Sequence, residues 1–591
     1  MKNVSIVLVV LLLSSMSIIG QFSNTKNSSS FANLPKERVY VHHNESLLFS
    51  GEYLKYKLYC IDKSTKAASE ISKVAYVALI DKSGKSVFTH KVRLNDGSGY
   101  GDFFIPTSVP TGSYKLLGYS EWMKNFEESG FFQTNVHIIN PYQVTSESYL
   151  EPKMDSLQEA LAANVSIQKS KGKDNKAVRS AFLDLSLDKS EVGKRKKVAV
   201  NITADNLASQ QGDYAISVRK IDSIPSPERI SSLSFYNNYV LKGTNKAKPG
   251  AKITHIPELR GEVISGTIVD KEGKQPVAGQ RISLSLPGDK FLLKVATSDA
   301  NGRFKFITER EYDNANAALQ ILSDDWDQFE VTLDGHDLRI GDMDYSDFQL
   351  SKKLNAYILQ KSVQNQIENA FKEKRPDSIL SAQHMAPYYR AFTASYNLDD
   401  YTRFNSIQET IVEVVDQVSI RRLNNGDHVF EIRPDEGFTD LSLLPMVFVD
   451  GLFLKRHEDL MDYSAKKIKS ISFSRDKVML GSQAFQGVLF FKTMDGGFYN
   501  DFYAPHIQNI ELFKPQPQKE YFNQEYSANM KDDRTPDFRH QLLWNPNLDV
   551  SNGKKEVVFY TSDVAGEYEL VVEGFTSNGN PVSVKERFVV K

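Results

Sequence analysis

The 591 residues carry 72 Lys and Arg against 74 Asp and Glu, a net charge of −2, so bulk charge offers no footprint for nucleic acid. A composition 40% apolar and 25% charged is that of ordinary globular domains, and the length allows several of them. The single cysteine, Cys60, excludes any disulfide within the chain.

In chain order, Lys2, the apolar run Val4–Leu13 and the small residues Ser14, Ser15 and Ser17 read as a secretory signal peptide over 1–20, too short to span a bilayer. No cysteine adjoins the expected cut after Gly20, so no lipid anchor is expected there. The Ser- and Asn-rich 21–35 is expected to be disordered. Thereafter 27 Tyr and 35 Phe among Val, Ile and Thr runs, punctuated by Gly, Asn and Asp turns, predict a mainly β protein. Residues 36–140 form a first β-sandwich, with Leu54, Tyr56, Leu58 and Cys60 alternating along one strand and turns at Ser83-Gly84 and Asn95-Asp96-Gly97. A Lys- and Ser-rich linker over 141–179 leads to a second sandwich over 180–255, where Leu183, Leu185 and Leu187 alternate. A third sandwich occupies 256–349; its Asp299-Ala-Asn301-Gly302 lacks the later carboxylate of a calcium loop and reads as a hairpin turn.

Residues 350–405 are a short helical connector, with Leu359, Val363 and Ile367 on one apolar face of a helix over 354–371. An α+β unit follows over 406–499. Ile411–Val415 reads as its lead strand, and Met446–Val449 is stopped by the turn dipeptide Asp450-Gly451. A Pro-punctuated extended strap covers 500–534, and a C-terminal sandwich with Trp544 in its core covers 535–591.

Several of these units resemble known families. Pro445, Val449, Asp450, Gly451, Ile468, Ile471, Phe473, Gly481, Ala484, Gly487, Val488 and Thr493 follow the order of the plug domain of TonB-dependent outer-membrane transporters of the Bacteroidetes nutrient-uptake type. Leu480 stands where that pattern has Tyr. The residues after Thr493 are too few for the transporter's barrel, so the resemblance implies a plug without its pore. "ERVYVHHNESLLFSGEYLKYKLY" and "PTGSYKLLGYSEWMKNF" resemble macroglobulin-like domains of large Bacteroidetes surface proteins, and 261–345 resembles the carboxypeptidase regulatory-like domain, an immunoglobulin-like sandwich. "LQKSVQNQIENAF" and "GKKEVVFYTSDVAGEYELVVEGF" are similar to later parts of the same macroglobulin-like family. The implied fold is a string of immunoglobulin-like and macroglobulin-like β-sandwiches, a plug-like α+β domain and a helical connector.

Catalytic constellations are weak by comparison. His42-x-x-Glu45 has a spacing that could serve a metal, but it sits at a strand-to-turn junction. Cys60 is followed by Ile-Asp-Lys, without the Gln that an internal thioester requires. No G-x-S-x-G elbow occurs. No catalytic residue, cofactor or metal is therefore expected. The expected role is a non-enzymatic scaffold or accessory subunit, exported and held at the outer membrane, on its periplasmic face or at the cell surface, through a β-barrel protein or a multi-subunit complex. Sheet edges and the strap would dock by strand addition, and Phe498, Tyr499, Phe502 and Tyr503 are the candidate partner-facing aromatics. Two alternatives are a surface adhesin or glycan-binding protein, and a non-covalent macroglobulin-like protease inhibitor with a bait loop at 165–179. The C-terminal "AGEYELVV … VKERFVVK" also resembles the sorting domains of Bacteroidetes secretion cargo.

Overall fold

Alternation of apolar residues at period two makes each strand seek a second sheet, and the chain satisfies this need repeatedly. The computed structural model describes residues 34–143, 180–242, 253–380 and 391–591, less 128–129, 289, 310, 313, 337, 339, 341–342, 436, 438–439, 482 and 527–533. The expected signal peptide, and the linker beyond Gln143 with its bait loop, lie outside the described residues. The fold is mainly β, as expected.

The N-terminal sandwich packs a three-stranded sheet (Glu37–His43, Tyr53–Asp62, Ser98–Phe104) on a five-stranded one (Leu47–Phe49, Phe132–Ile139, Gly112–Tyr119, Val74–Ile80, Ser86–Arg93). Leu54, Tyr56, Leu58 and Cys60 are fully buried. Every position of Glu37–His43, Val74–Ile80 and Gly112–Tyr119 is buried as well, because neighbouring units cover the outer faces.

The second and C-terminal sandwiches are not separate domains. Asp213–Lys220 lies between Gln541–Asn545 and Gly566–Phe575 in one five-stranded sheet, and Lys197–Ala204 lies between Lys554–Tyr560 and Leu183–Leu187 in the sheet that covers it. One core joins Val198, Val200 and Ile216 to Leu570, Val572 and Phe588. Each half contributes strands to both sheets, and neither sheet is complete without the other half. Local sequence pattern does not register a partner hundreds of residues away. Trp544 is buried, but outside this core; it stacks on His42 with ring centroids 5.4 Å apart and clusters with Tyr100 and Tyr521 at the seam with the N-terminal sandwich. The helical turn Ser232–Phe235 inserts Phe235 into the same seam, 5.1 Å from the ring of Tyr40.

The middle sandwich sets Arg303–Thr308, Glu262–Asp270 and Phe329–Leu333 against Leu292–Thr297, Arg281–Leu286 and Asn316–Ile321. The latter sheet gains a fourth strand, Gln508–Glu511, from the strap. The strap then pairs Lys519–Glu520 with Ser378–Ile379, and its Tyr521 hydroxyl donates to Asp102 at 3.0 Å. The strap thus adds strands to two sheets of its own chain.

Two corrections concern helices. Residues 411–414 belong to a helix, Ile407–Val414, not to a strand, and Val415 is the extended residue that ends it. Its signal is a cap: the Ser406 side chain accepts from the Glu409 N–H while Glu409 accepts from the Asn405 N–H, and Ile407 and Ile411 fall on one buried face. The connector helix Asn355–Ala370 lies where expected but faces the other way. Leu359 and Val363 are 65% and 45% exposed, while Lys361, Ser362 and Asn365 are buried. Lys361 is drawn inward by Asp222 at 2.6 Å and Glu52 at 3.6 Å, a pair of carboxylates that outweighs the apolar stripe. The connector also gives the plug-like unit its edge strand, Ala394–Asn397.

Removing residues 541–591 is expected to expose Leu183–Lys220 to rapid proteolysis while the strands of the N-terminal sandwich stay protected. Continued protection of Leu183–Lys220 in the truncated protein, read by mass spectrometry of the fragments, would show that the two halves fold apart.

Candidate functional site

The five-stranded sheet of the α+β unit runs Ala394–Asn397, Ile468–Leu480, Gln483–Thr493, Met446–Val449, Leu452–Leu454. Asp450 and Gly451 form its tight hairpin, both with positive φ (48° and 84°), the geometry that matches strand twist and that an Asp-Gly pair supplies. The turn also ties the unit together. Asp450 Oδ1 accepts from the Thr493 N–H at 2.9 Å, and Oδ2 accepts from the Thr493 hydroxyl and from the Phe498 N–H at 3.3 Å. Its carbonyl accepts from the Gly288 N–H at 2.8 Å, which docks the turn onto the middle sandwich. A Cβ on Gly451 would stand 2.3 Å from Phe291 Cβ, so the seam itself requires glycine.

The other motif residues are structural. Pro445, Ile468 and Ile471 are buried, Gly481 turns the long hairpin, and Gly487, at φ 84°, passes where a Cβ would meet the Ser474 carbonyl at 2.4 Å. Val447, Val449, Ile471, Phe473 and Leu489 face the helix Ile407–Val414 and the hairpin of Val418–Arg422 with His428–Ile432. Met446, Phe448 and Val488 face the opposite way, against Leu293 and Phe291 of the middle sandwich. Both faces of this sheet are therefore covered by the chain itself.

Of the four candidate partner-facing aromatics, only Tyr503 stands clear, at 83% exposure. Phe498 is buried and stacks on Phe502 at 4.6 Å, and the Tyr499 hydroxyl donates to the Ala317 carbonyl at 2.9 Å. The chain after Thr493 folds Phe498, Tyr499 and Phe502 inward and leaves Tyr503 outside.

The groups weighed for chemistry are also engaged structurally. His42 is stacked on Trp544 while Glu45 meets Arg219 at 3.4 Å. Burial pushes the Cys60 thiol well above its ordinary pKa, and its S–H donates to Glu37 at 3.3 Å. Asp299 Oδ1 accepts from the Asn301 and Arg303 N–H groups, completing the hairpin turn. Among the described residues no group of three or more His, Cys, Asp or Glu is placed to hold a metal. The strongest electrostatics lie at the seams between domains. Burial raises the Glu52 carboxyl, but Arg219 and Lys361 outweigh it and hold it below the usual value. His42 and His43 are buried against Arg229; burial and then that guanidinium push His42 well below the ordinary range and His43 to about 4.

No protein-family profile matches the sequence, and no curated protein matches it. Among solved structures the chain is similar to Salmonella alpha-2-macroglobulin reacted with methylamine, at 9% identity and a TM-score of 0.22, over 94% of this chain and 39% of that one. It is similar in the same way to trypsin-activated alpha-2-macroglobulin from Escherichia coli, at 10% identity and a TM-score of 0.22, over 94% of this chain and 41% of that one. The chain thus spans well under half the length of these neighbours.

Two predictions test the seams. Gly451→Ala is expected to cost about 1–3 kcal/mol through strain at its positive φ, and more through the clash with Phe291; urea unfolding unchanged from the parent would contradict the docked turn. The second concerns pH. His43 binds a proton at about 4 when folded and near its usual 6.5 when unfolded, so its contribution is complete above about 6.5 and is lost as pH falls toward 4. Stability should decline over that window, with a limiting slope of about 1.4 kcal/mol per pH unit for each such histidine. His43→Asn should make the decline shallower, and an unchanged slope would remove His43 from the account.

Proposed function

We propose that this protein is a non-enzymatic, exported scaffold or accessory subunit of the outer membrane, docking onto a β-barrel protein or its assembly for transport, secretion or barrel assembly. The observation that supports this reading is the way the plug-like unit is fixed: both sheet faces are buried by the chain's own domains, and the Asp450-Gly451 turn is hydrogen-bonded to the middle sandwich. A plug held in this manner is part of a rigid frame and offers a partner its edges and outlying side chains. Among the described residues of the plug-like unit and the start of the strap, the outlying apolar groups are Val412, Leu441, Met479 and Tyr503, each at least 60% exposed. The resemblance of the flanking sandwiches to Bacteroidetes surface proteins supports the same setting. Membrane association would come through partners; no described helix is long and apolar enough to cross a bilayer.

The test is gentle purification of the tagged protein from native envelopes, beside a Val412→Ser, Met479→Ser, Tyr503→Ser variant. Exposed positions tolerate such changes, so the variant should melt like its parent. The parent is expected to bring an outer-membrane barrel protein with it and the variant to lose most of that partner. A parent that purifies alone from intact envelopes would defeat the reading.

A further inference from the structure

The middle sandwich is not closed on all sides. Its strand Phe329–Leu333 pairs with Glu262–Asp270 on one side, and with no described strand on the other. Phe329, Val331 and Leu333 turn toward the core yet remain half-buried, while Glu330 and Thr332 are exposed. Beneath this edge lies a cavity of about 420 Å³. Leu319, Ile321, Phe329, Val331 and Ile507 give it apolar walls, and Trp326 stands beside them, half-buried. An open apolar cleft under a free strand edge is the arrangement that strand addition needs: the edge supplies backbone pairing and the cleft takes alternate side chains.

The molecule already uses this device once, immediately alongside. The strap residues Pro505–Gln508 form the far wall of the cleft and lead directly into Gln508–Glu511, which extends the facing sheet. Ile510 and Leu512 of that added segment enter the same core as Phe329 and Val331. One sheet of the sandwich has received its extra strand from within the chain; the other has not. The rim carries charges of both signs with an acidic balance. Lys271 lines the cleft and stands over the Trp326 ring at 6.0 Å, Asp324 is paired with Lys455 and Glu330 with Lys274, and Asp325 and Asp327, the sequence neighbours of Trp326, are exposed and make no ion pair among the described residues. His506, buried in the cleft wall, approaches Asp459 at 3.1 Å without the alignment of a hydrogen bond.

We propose that this cleft receives an extended segment of a partner protein. Its backbone adds to the outward edge of Phe329–Leu333, one large apolar side chain fills the cavity beside Trp326, and a flanking Lys or Arg meets Asp325 and Asp327. This deepens the scaffold reading by assigning a second docking surface, whose far wall begins two residues along the chain from Tyr503, and rests on that reading only for the partner being an envelope protein.

Trp326 is a ready reporter, since Trp122 and Trp544 are only 4% and 3% exposed. The folded protein is titrated with the acetylated, amidated heptapeptide Lys-Thr-Phe-Thr-Val-Thr-Lys while tryptophan emission and its quenching by acrylamide are followed. Saturable shielding of Trp326 is expected. Binding should weaken about tenfold or more when Val331→Arg fills the cleft, the loss typical of a central apolar contact. It should weaken also when both peptide lysines become Glu, and in Asp327→Asn, an exposed change that serves should Val331→Arg melt early. Equal binding of the Glu-flanked peptide, unchanged binding by Asp327→Asn, or no shielding at millimolar peptide would overturn the proposal. So would shielding by chitohexaose without shielding by the peptide, which would make the cleft a glycan site. The probe is a free peptide, so its failure leaves the envelope co-purification result standing, and the converse.

Discussion

Everything else in the architecture depends on the closure of one β-sandwich by two distant stretches of chain. Asp213–Lys220 is flanked on both sides by strands from beyond residue 540, and Arg195 grips Asp563, 368 residues away, with hydrogen bonds of 2.7 and 2.6 Å. Such closure costs less than its span suggests, because loop entropy rises by only about 0.6 kcal/mol for each doubling of length. The shared core of Val198, Ile216, Leu570 and Phe588 offsets it. The intervening middle sandwich, connector and plug-like unit are an excursion that must return to its origin. The strap performs the return, pairing with the middle sandwich, then with Ser378–Ile379, then packing Tyr521 against Tyr100 and Trp544.

The seams created by this closure share one device, a buried lysine facing a carboxylate across a domain boundary. Lys57 of the N-terminal sandwich reaches Asp213 of the split one, Lys91 reaches Glu262 of the middle one at 2.6 Å, and Lys361 of the connector helix reaches Asp222. All three lysines are at most 1% exposed. In the two pairs buried on both sides, Lys91–Glu262 and Lys361–Asp222, removing one member typically costs about 3–5 kcal/mol, whereas the intact pair adds little beyond an apolar contact of the same size. Their contribution is register: a domain rotated by a few ångströms strands a buried charge. That constraint fixes the sheet of residues 446–493 between the middle sandwich and its own small helical layer.

How much of this was legible in the sequence differs by feature, and the reason is distance. Strands of the N-terminal sandwich announced themselves through Leu54, Tyr56, Leu58 and Cys60, and the Asp450-Gly451 hairpin through a dipeptide whose preferred φ values are local. The connector helix was legible by its period, but its buried side was not, because Lys361 takes its partners from residues 139 and more positions earlier in the chain. Ile411–Val415 looked like a strand by β-branched content, although Ser406 and Glu409 already carried the cap that makes it a helix. The pairing of 183–220 with 541–590 left no local mark at all. The aromatics after Thr493 were visible, but whether they faced a partner or their own core depended on where the strap runs.

Native-state hydrogen exchange across a denaturant series tests the closure most directly. The amides of Lys197–Ala204 and those of Lys554–Tyr560 pair with each other. If the two ends of the chain form one cooperative sandwich, both sets lose protection at the same denaturant concentration and with the same dependence on it. If Lys554–Tyr560 and Gly566–Phe575 keep their protection after Lys197–Ala204 and Asp213–Lys220 have exchanged, the C-terminal strands are a domain by themselves and the account of the closed frame is wrong.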